Sequence, residues 1–286
     1  MTKSYNLNIA IPDSSLLDEQ TKRDKSIKIS QIARACSIFR VKTIYIYHDV
    51  SFRYEKDDLN LLKTILRYLD TPQYLRKILY PRMEILEYAG ILHPIKSPHH
   101  KDREDIKNIK IGDVRVGVIA KDKGKFYVDV GLGSLVPFKG SGFIGKKVNV
   151  LFTSAYPNLQ TREATEEQFD KTYWGYNVKV ISNLAKLLNT IQNTAQNTEI
   201  LITYRGGEFF KMKEGKLLER MEYNRNLLVV FGSPKKGVDE ILTNEGSSIR
   251  HYDFVVNMFP FQGTATVRLE EAIYGTLAIL NHVLTK

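Results

Sequence analysis

Residues 227–237 read Leu227-Leu-Val-Val-Phe-Gly-Ser-Pro-Lys-Lys-Gly237, a continuous apolar run broken at once by Gly, Ser and Pro. A short apolar run bounded by turn residues is what a strand buried on both faces looks like. Two further segments repeat the arrangement. Glu199 to Tyr204 runs into Thr203-Tyr204-Arg205-Gly206-Gly207, and Asp253 to Phe259 runs into Asn257-Met258-Phe259-Pro260-Phe261-Gln262-Gly263-Thr264. In open parallel sheets ligands bind beyond the carboxyl ends of the strands. Glycine lets backbone approach a ligand closely, and proline fixes the turn. Three such loops in succession therefore mark a candidate binding site.

Working outward, strands and helices alternate. Val178 to Ile181 is a strand, Leu184, Leu187, Leu188 and Ile191 mark a helix, and a long helix runs from about Thr264 to Leu284. Near the N-terminus, Leu7 to Ile11 is a strand ended by Pro12 and Asp13. Ile32, Ala35, Cys36 and Phe39 recur at helical spacing, Val41 to Tyr47 is a second strand, and Leu59, Leu62, Ile65, Leu66 and Leu69 share one helix face. Thr71 reads as an N-cap and Pro72 as the first residue of a short helix to Leu79. Strands alternating with helices predict an α/β fold with a mostly parallel sheet. Along the last helix Val267, Ala272, Ile273, Ala278, Ile279, Leu280 and Val283 cover a broad surface, which predicts two packing partners, its own sheet and a second subunit.

The middle of the chain differs. His93-Pro94, Pro98-His99-His100 and a charged run from Lys101 to Lys110 read as a loop. Val114–Ala120, Lys125–Val130, Leu135–Phe138 and Val148–Phe152 are then short strands with no helix between them, which predicts a small β-barrel. Lys121, Lys123, Lys125, Lys139, Lys146 and Lys147 interleave with Phe126, Tyr127, Phe138 and Phe143. Cations for phosphates and rings for bases suit single-stranded nucleic acid, whereas barrel core and ordinary surface lysines would give the same letters. The predicted organisation is one α/β domain, residues 1–92 and 169–286, interrupted by a β domain at 93–168.

Charge and cysteine usage narrow the class. The 286 residues carry a formal charge of +10 and are 43% hydrophobic and 26% charged, which fits a soluble globular chain and a polyanionic partner. Residues 93–168 are the most densely basic segment. The single cysteine, Cys36, excludes an internal disulfide and any Cys-based zinc site, and its apolar helix face makes it a packed thiol. His99 and His100 are adjacent and should diverge, so no metal site is expected. The N-terminus lacks a signal-peptide core and no run is long enough to span a membrane, so a cytoplasmic location is expected. Gly140 to Lys146 mimics a phosphate-binding loop, but Lys147 stands where Ser or Thr should ligate magnesium and a strand follows instead of a helix.

The chain resembles the SPOUT (α/β-knot) RNA methyltransferases, specifically the branch with an OB-like domain inserted in the catalytic domain. The likeness rests on Ile9-Ala-Ile-Pro-Asp-Ser-Ser-Leu-Leu-Asp18, Gln31-Ile-Ala-Arg-Ala35, Tyr88-Ala-Gly-Ile-Leu92, Pro98-His-His100 and Tyr173-Trp-Gly-Tyr176. Its most specific parts are Phe231-Gly-Ser-Pro-Lys-Lys-Gly237, and Gln262-Gly-Thr264 with Thr266-Val-Arg268 and Glu270-Glu271. The resemblance implies a C-terminal trefoil knot, a homodimer through the knot-domain helices, and S-adenosylmethionine bound among the three loops. By position it implies cofactor contacts from Thr203, Tyr204, Gly232, Ser233, Pro234, Asn257, Phe259, Pro260, Gln262, Gly263, Thr264, Thr266 and Val267. Arg205 and Arg268 could fix a substrate phosphate or polarise a base carbonyl, and Glu271 or Glu270 could accept a proton or orient an arginine, or serve only as first-turn acids favoured by the helix dipole. The implied activity is methyl transfer to a base or ribose of a structured RNA, ribosomal or transfer RNA. The alternative is a non-catalytic RNA-binding or ribosome-assembly protein that keeps the knotted fold.

Overall fold

The computed structural model describes residues 5–52, 55–101, 104–169, 172–194, 197–223 and 226–285. In chain order the N-terminal elements are β1 (Asn6–Pro12), α1 (Lys22–Ile38), β2 (Val41–Tyr47), α2 (Lys56–Asp70) and α3 (Gln73–Leu79). The middle holds β3 (Val114–Asp122), β4 (Lys125–Asp129), β5 (Val136–Lys139), β6 (Lys147–Ser154) and β7 (Gln160–Glu163). The remainder is β8 (Asn177–Ile181), α4 (Leu184–Thr194), β9 (Thr198–Phe209), α5 (Phe210–Tyr223), β10 (Asn226–Val230), α6 (Val238–Asn244), β11 (Phe254–Asn257) and α7 (Leu269–Leu284). The chain divides into two compact units. One comprises residues 1–67, 88–94 and 176–286, and the other 68–87 and 95–175.

The first unit is built on a six-stranded sheet in the order β11-β9-β10-β1-β2-β8. Every pairing in it is parallel. Its centre is apolar on both faces, as parallel sheets require: Ile9, Ala10, Ile11, Leu228, Val229 and Val230 are fully buried. Leu187, Leu188, Ile241 and Leu242 of α4 and α6 pack with Ile202, Leu228 and Val230 in one core cluster. Helix α7 lies against α1. Leu269, Ile273, Leu277, Leu280 and Val283 form its buried stripe, while Ala278 is exposed and Ile279 half-buried. Cys36 is fully buried on α1, and burial pushes its thiol far up.

The largest register shift in the parallel sheet is in β9. Opposite β11, Ile202 of β9 pairs with Val255, and the next pairing joins Glu208 to Val256. Residues 203–207 are thus an excursion from the ladder. The sequence pattern ends β9 at Tyr204, but the chain returns and continues to Phe209. A side chain at Gly207 would place its Cβ 2.8 Å from the Val255 carbonyl oxygen, so only glycine fits where the chain re-enters the sheet.

The second unit holds a closed barrel of strands in the order β3-β4-β5-β7-β6. Its pairings are antiparallel except for β5 with β7, which is parallel. Val128, Val136, Phe138, Val150 and Phe152 fill it. Helix α3 belongs to this unit, because Leu75 packs on Val116 and Val118 and the Tyr74 hydroxyl donates to the Val116 carbonyl at 2.8 Å. The segment 68–87 therefore groups with the barrel, outside the 93–168 boundaries expected from sequence.

Other expectations shift. Pro72, not Thr71, occupies the cap position of α3, so the helix begins one residue later than its sequence suggests. Helices α5 and α6 and strand β7 were not expected, and α7 begins at Leu269 instead of Thr264. The charged run 101–110 includes residues 102–103, which lie outside the described ones. His99 and His100 do not diverge. Their rings are 4.3 Å apart, and both Nε2 atoms lie within hydrogen-bond distance of the Asp70 carbonyl oxygen, at 2.9 and 3.0 Å.

The Asp70 carboxylate is itself buried, with Lys147 Nζ at 2.9 Å and His99 Nε2 at 3.4 Å. Gly175, at φ 85°, leaves room for it, since a Cβ there would overlap Asp70 Oδ1. Burial opposes the charge of Asp70, but Lys147 and His99 outweigh it and hold the carboxyl below its ordinary value. A carboxyl with a depressed folded pKa stabilises the fold above the unfolded value of about 3.9 and stops doing so as pH falls through the folded value. Asp70→Asn should therefore lower stability at neutral pH and flatten the acid limb of a urea-denaturation profile taken below about pH 4.

Candidate functional site

The excursion of β9 and the carboxyl ends of β10 and β11 open onto a cavity of about 670 Å³, a size suited to a cofactor. Three segments form most of its wall: 203–206, 231–237 and 257–259. A fourth, from Gln262 to Ala272, closes the side toward α7. The walls mix apolar groups (Met258, Phe259, Val267, Leu269) with cations (Arg205, Lys235, Lys236) and two carboxylates, Asp239 and Glu240.

The loops are tied to one another. Thr203 Oγ1 donates to the Val230 carbonyl at 2.8 Å, joining the first loop to the end of β10. Asn257 Nδ2 donates to the Arg205 carbonyl at 2.9 Å, and its Oδ1 accepts from Phe259 N–H at 2.9 Å. Arg205 Nη1 donates to the Ala265 carbonyl at 3.0 Å, and Gln262 Nε2 reaches the same oxygen at 3.2 Å. Within the second loop Ser233 N–H donates to Lys236 O and Lys236 N–H to Ser233 Oγ, both at 2.9 Å. From below, the buried Tyr47 hydroxyl donates to the Phe231 carbonyl at 2.7 Å.

Missing side chains shape the site as much as present ones. A Cβ on Gly232 would lie 2.7 Å from Lys236 O, so the second loop can double back only with glycine there. A Cβ on Gly275 of α7 would collide with the Phe259 ring, so that glycine is the seat of the ring. Tyr204 curls back over Gly206 and bonds to Asp239. That bond and the adjacent negative charge raise its hydroxyl above the usual tyrosine range.

Most of the residues picked out by sequence come together here. Thr203, Tyr204, Gly232, Ser233, Pro234, Asn257, Phe259, Gln262, Thr266 and Val267 line the cavity, as does Arg205. Pro260, Gly263, Thr264, Arg268 and Glu271 do not line it. Phe261, at φ 59°, takes a left-handed turn with its ring 91% exposed, and Gln262 then returns to the cavity wall. A Cβ on Gly263 would meet nothing within 4 Å. The Thr264 hydroxyl donates to Thr266 O at 2.9 Å. Glu271 accepts from Arg268 N–H at 2.9 Å, closing the first turn of α7. Arg268 Nη1 turns to Glu19 at 3.2 Å and Glu270 at 3.4 Å, while the buried Lys28 holds the other oxygen of Glu270 at 3.2 Å.

Asp239, Glu240, Ala265, Leu269 and Ala272 were missed. Two acids just after Gly237 carry a weak signal, because acids are common in any first helical turn. Among the described residues no group of three or more His, Cys, Asp or Glu could hold a metal ion, and no helix is long and apolar enough to cross a membrane. The Tyr204–Asp239 bond is open to direct measurement. Asp239→Asn should bring the Tyr204 pKa down toward 10, read by NMR of ring-labelled tyrosine, with the other tyrosines unmoved.

The chain is similar to known proteins over most of its length. A protein-family model described as "Putative RNA methyltransferase" matches residues 6–280. A 28S rRNA (uridine-N(3))-methyltransferase of Drosophila melanogaster is 29% identical over 314 residues, covering 97% of this chain and 62% of the relative. The human protein of the same description is 29% identical, covering 97% of this chain and 78% of the relative. An uncharacterized protein of Haloarcula marismortui is 25% identical and matches 96% of this chain and 98% of its own length. The chain thus spans less than two thirds of the fly relative and nearly all of the archaeal one.

Proposed function

The chain belongs to the RNA methyltransferase family whose model spans residues 6–280, within the SPOUT superfamily, and we propose that its cavity binds S-adenosylmethionine and directs a methyl group to N3 of a uridine in ribosomal RNA. The observation that carries the reading is the make-up of the cavity at the β9 excursion and the ends of β10 and β11: apolar walls, carboxylates and tightly turned backbone. The fit to the cofactor is chemical. Phe259, Met258, Val267 and Leu269 offer the flat apolar walls an adenine needs, and the backbone of the second and third loops supplies donors and acceptors. Asp239 and Glu240 complement positive charge, which suits a sulfonium and an amino group. Lys235 and Lys236 offer partners for a carboxylate.

The bound cofactor would supply an already activated methyl group. The protein's work is therefore alignment and proton handling. The imide N3 of uracil must lose its proton to become a nucleophile. Arg205, on the cavity wall, offers hydrogen bonds to a uracil carbonyl, where it would favour the developing anion. The Tyr204 hydroxyl, whose proton is given to Asp239, lies on the same wall. Glu271 is committed to the start of α7, so its role is to hold that helix in place. The target in ribosomal RNA follows the names of the fly and human relatives. The proposal extends to what the family resemblance implies, a C-terminal trefoil knot and a homodimer through the knot-domain helices.

Calorimetry with S-adenosylmethionine tests the site, and nucleoside mass spectrometry of ribosomal RNA from cells with and without the gene tests the reaction. Binding is expected, and Gly232→Val should weaken it at least about tenfold by pushing the second loop off Lys236 O. Loss of one N3-methyluridine is expected in the deletion strain. No binding at millimolar cofactor would overturn the enzyme reading in favour of a non-catalytic RNA-binding or ribosome-assembly role. A missing methyl on a different atom would overturn the N3 assignment.

A further inference from the structure

The glycine-rich run Gly140-Ser-Gly-Phe-Ile-Gly-Lys146 lies in the barrel unit, and its glycines have a packing role there. A Cβ on Gly140 would meet the Phe138 ring at 2.5 Å, and one on Gly142 would meet Ile119 Cδ1 at 2.6 Å. The backbone therefore rests directly on core side chains. Gly145, at φ 88°, turns it back. Its N–H donates to Ile119 O at 2.8 Å, and Ile119 N–H donates to Lys146 O at 3.0 Å. The run is thus pinned to β3 with no space beneath it. Its two large side chains stand outward, Phe143 72% exposed and Ile144 66% exposed.

The ladder fixes what surrounds them. Beyond Ile119, which Gly145 and Lys146 still bond, the β3–β4 ladder continues through Lys121–Phe126 and Asp122–Lys125. The end of β5 lies beside the start of β4. The β3–β4 turn and the run 140–146 therefore share one end of the barrel. That end carries Lys121, Lys123, Lys125, Lys139 and Lys146 against the acids Asp122 and, where β7 ends beside β5, Glu163. Lys121 Nζ sits 5.6 Å from the centre of the Phe126 ring.

From this juxtaposition we infer that this end of the barrel binds an unpaired RNA segment, with Phe143 stacking on a base and the lysines following the phosphates. The inference deepens the reading of the chain as an RNA-acting enzyme and rests on it. Lysines alone would serve any polyanion. The exposed ring decides the class, because duplex bases have their faces covered and only an unstacked base can lie on it. A rigid platform loses little freedom on binding, so the stacking is available in full.

Fluorescence anisotropy of the full chain with a labelled oligouridine 12-mer tests this without any cofactor. The single strand should bind more tightly than the same strand annealed to oligoadenosine, and polyglutamate should compete poorly. Phe143→Ala should weaken binding roughly five- to hundredfold. Its melting temperature and calorimetric affinity for S-adenosylmethionine should be unchanged, because the ring supports neither core nor cavity. Lys123→Ala with Lys125→Ala should make the plot of log affinity against log salt shallower by about 0.7 for each phosphate left without its lysine. Phe143→Ala binding like wild type, or duplex or polyglutamate binding as well as the single strand, would overturn the inference. Failure of the wild type to bind S-adenosylmethionine would instead count against the enzyme reading and leave the RNA titration to stand alone.

Discussion

Parallel pairing is the constraint on which the molecule depends. Two parallel strands cannot be joined by a hairpin, so each connection must cross back over a face of the sheet. With all strands running one way, all their carboxyl ends gather at one edge. The centre of the sheet is apolar, because helices cover it and Ile9, Ala10, Leu228 and Val230 are fully buried. Chemistry is left to the edge, where β9, β10 and β11 release their loops. Those loops hold their shape through hydrogen bonds to one another, as Asn257 with Arg205 and Arg205 with Ala265 illustrate.

What could be read from the sequence follows how burial leaves its mark. Runs such as Leu227 to Phe231 and Val41 to Tyr47 are apolar throughout, and both proved to be strands within a residue. The three loops were legible because Gly, Pro and Asn cluster after those runs. Strand β7, Gln-Thr-Arg-Glu, was not, since only Thr161 is buried and its neighbours in the ladder hold it in place. Helix α5 buries only Phe210 and Leu217 and shows little periodic signal. The skip in β9 was illegible too, because two strands must be laid side by side before a register shift exists. Within the site, loop residues were found by composition, but Gly263 and Pro260 look no different in sequence from Gly232 and Pro234. Only the folded loops show which of them reach the cavity wall.

Glycine shows the same ambiguity at Gly140–Lys146. Spacing there imitates a phosphate loop, yet Gly140 and Gly142 answer to side chains of the barrel core. The same residue type makes the cavity by letting backbone turn on itself at Gly232. It makes the barrel end by letting backbone lie flat on Phe138 and Ile119. Charge divides in parallel. The cavity mixes Asp239 and Glu240 with its lysines, whereas the barrel end carries more lysines than acids.

The pairing of Asn6 with Asn226 joins residues 220 positions apart. During synthesis on the ribosome, β1 and β2 are complete long before β10 exists. The β1 edge that β10 will cover then stands with its N–H and C=O groups unmatched. The barrel strands all fall between Val114 and Glu163 and find their partners nearby, so the barrel can close while the parallel sheet still waits. Contacts between distant segments form slowly. The half-made sheet is therefore the stage at which a nascent chain is most open to aggregation or to a chaperone.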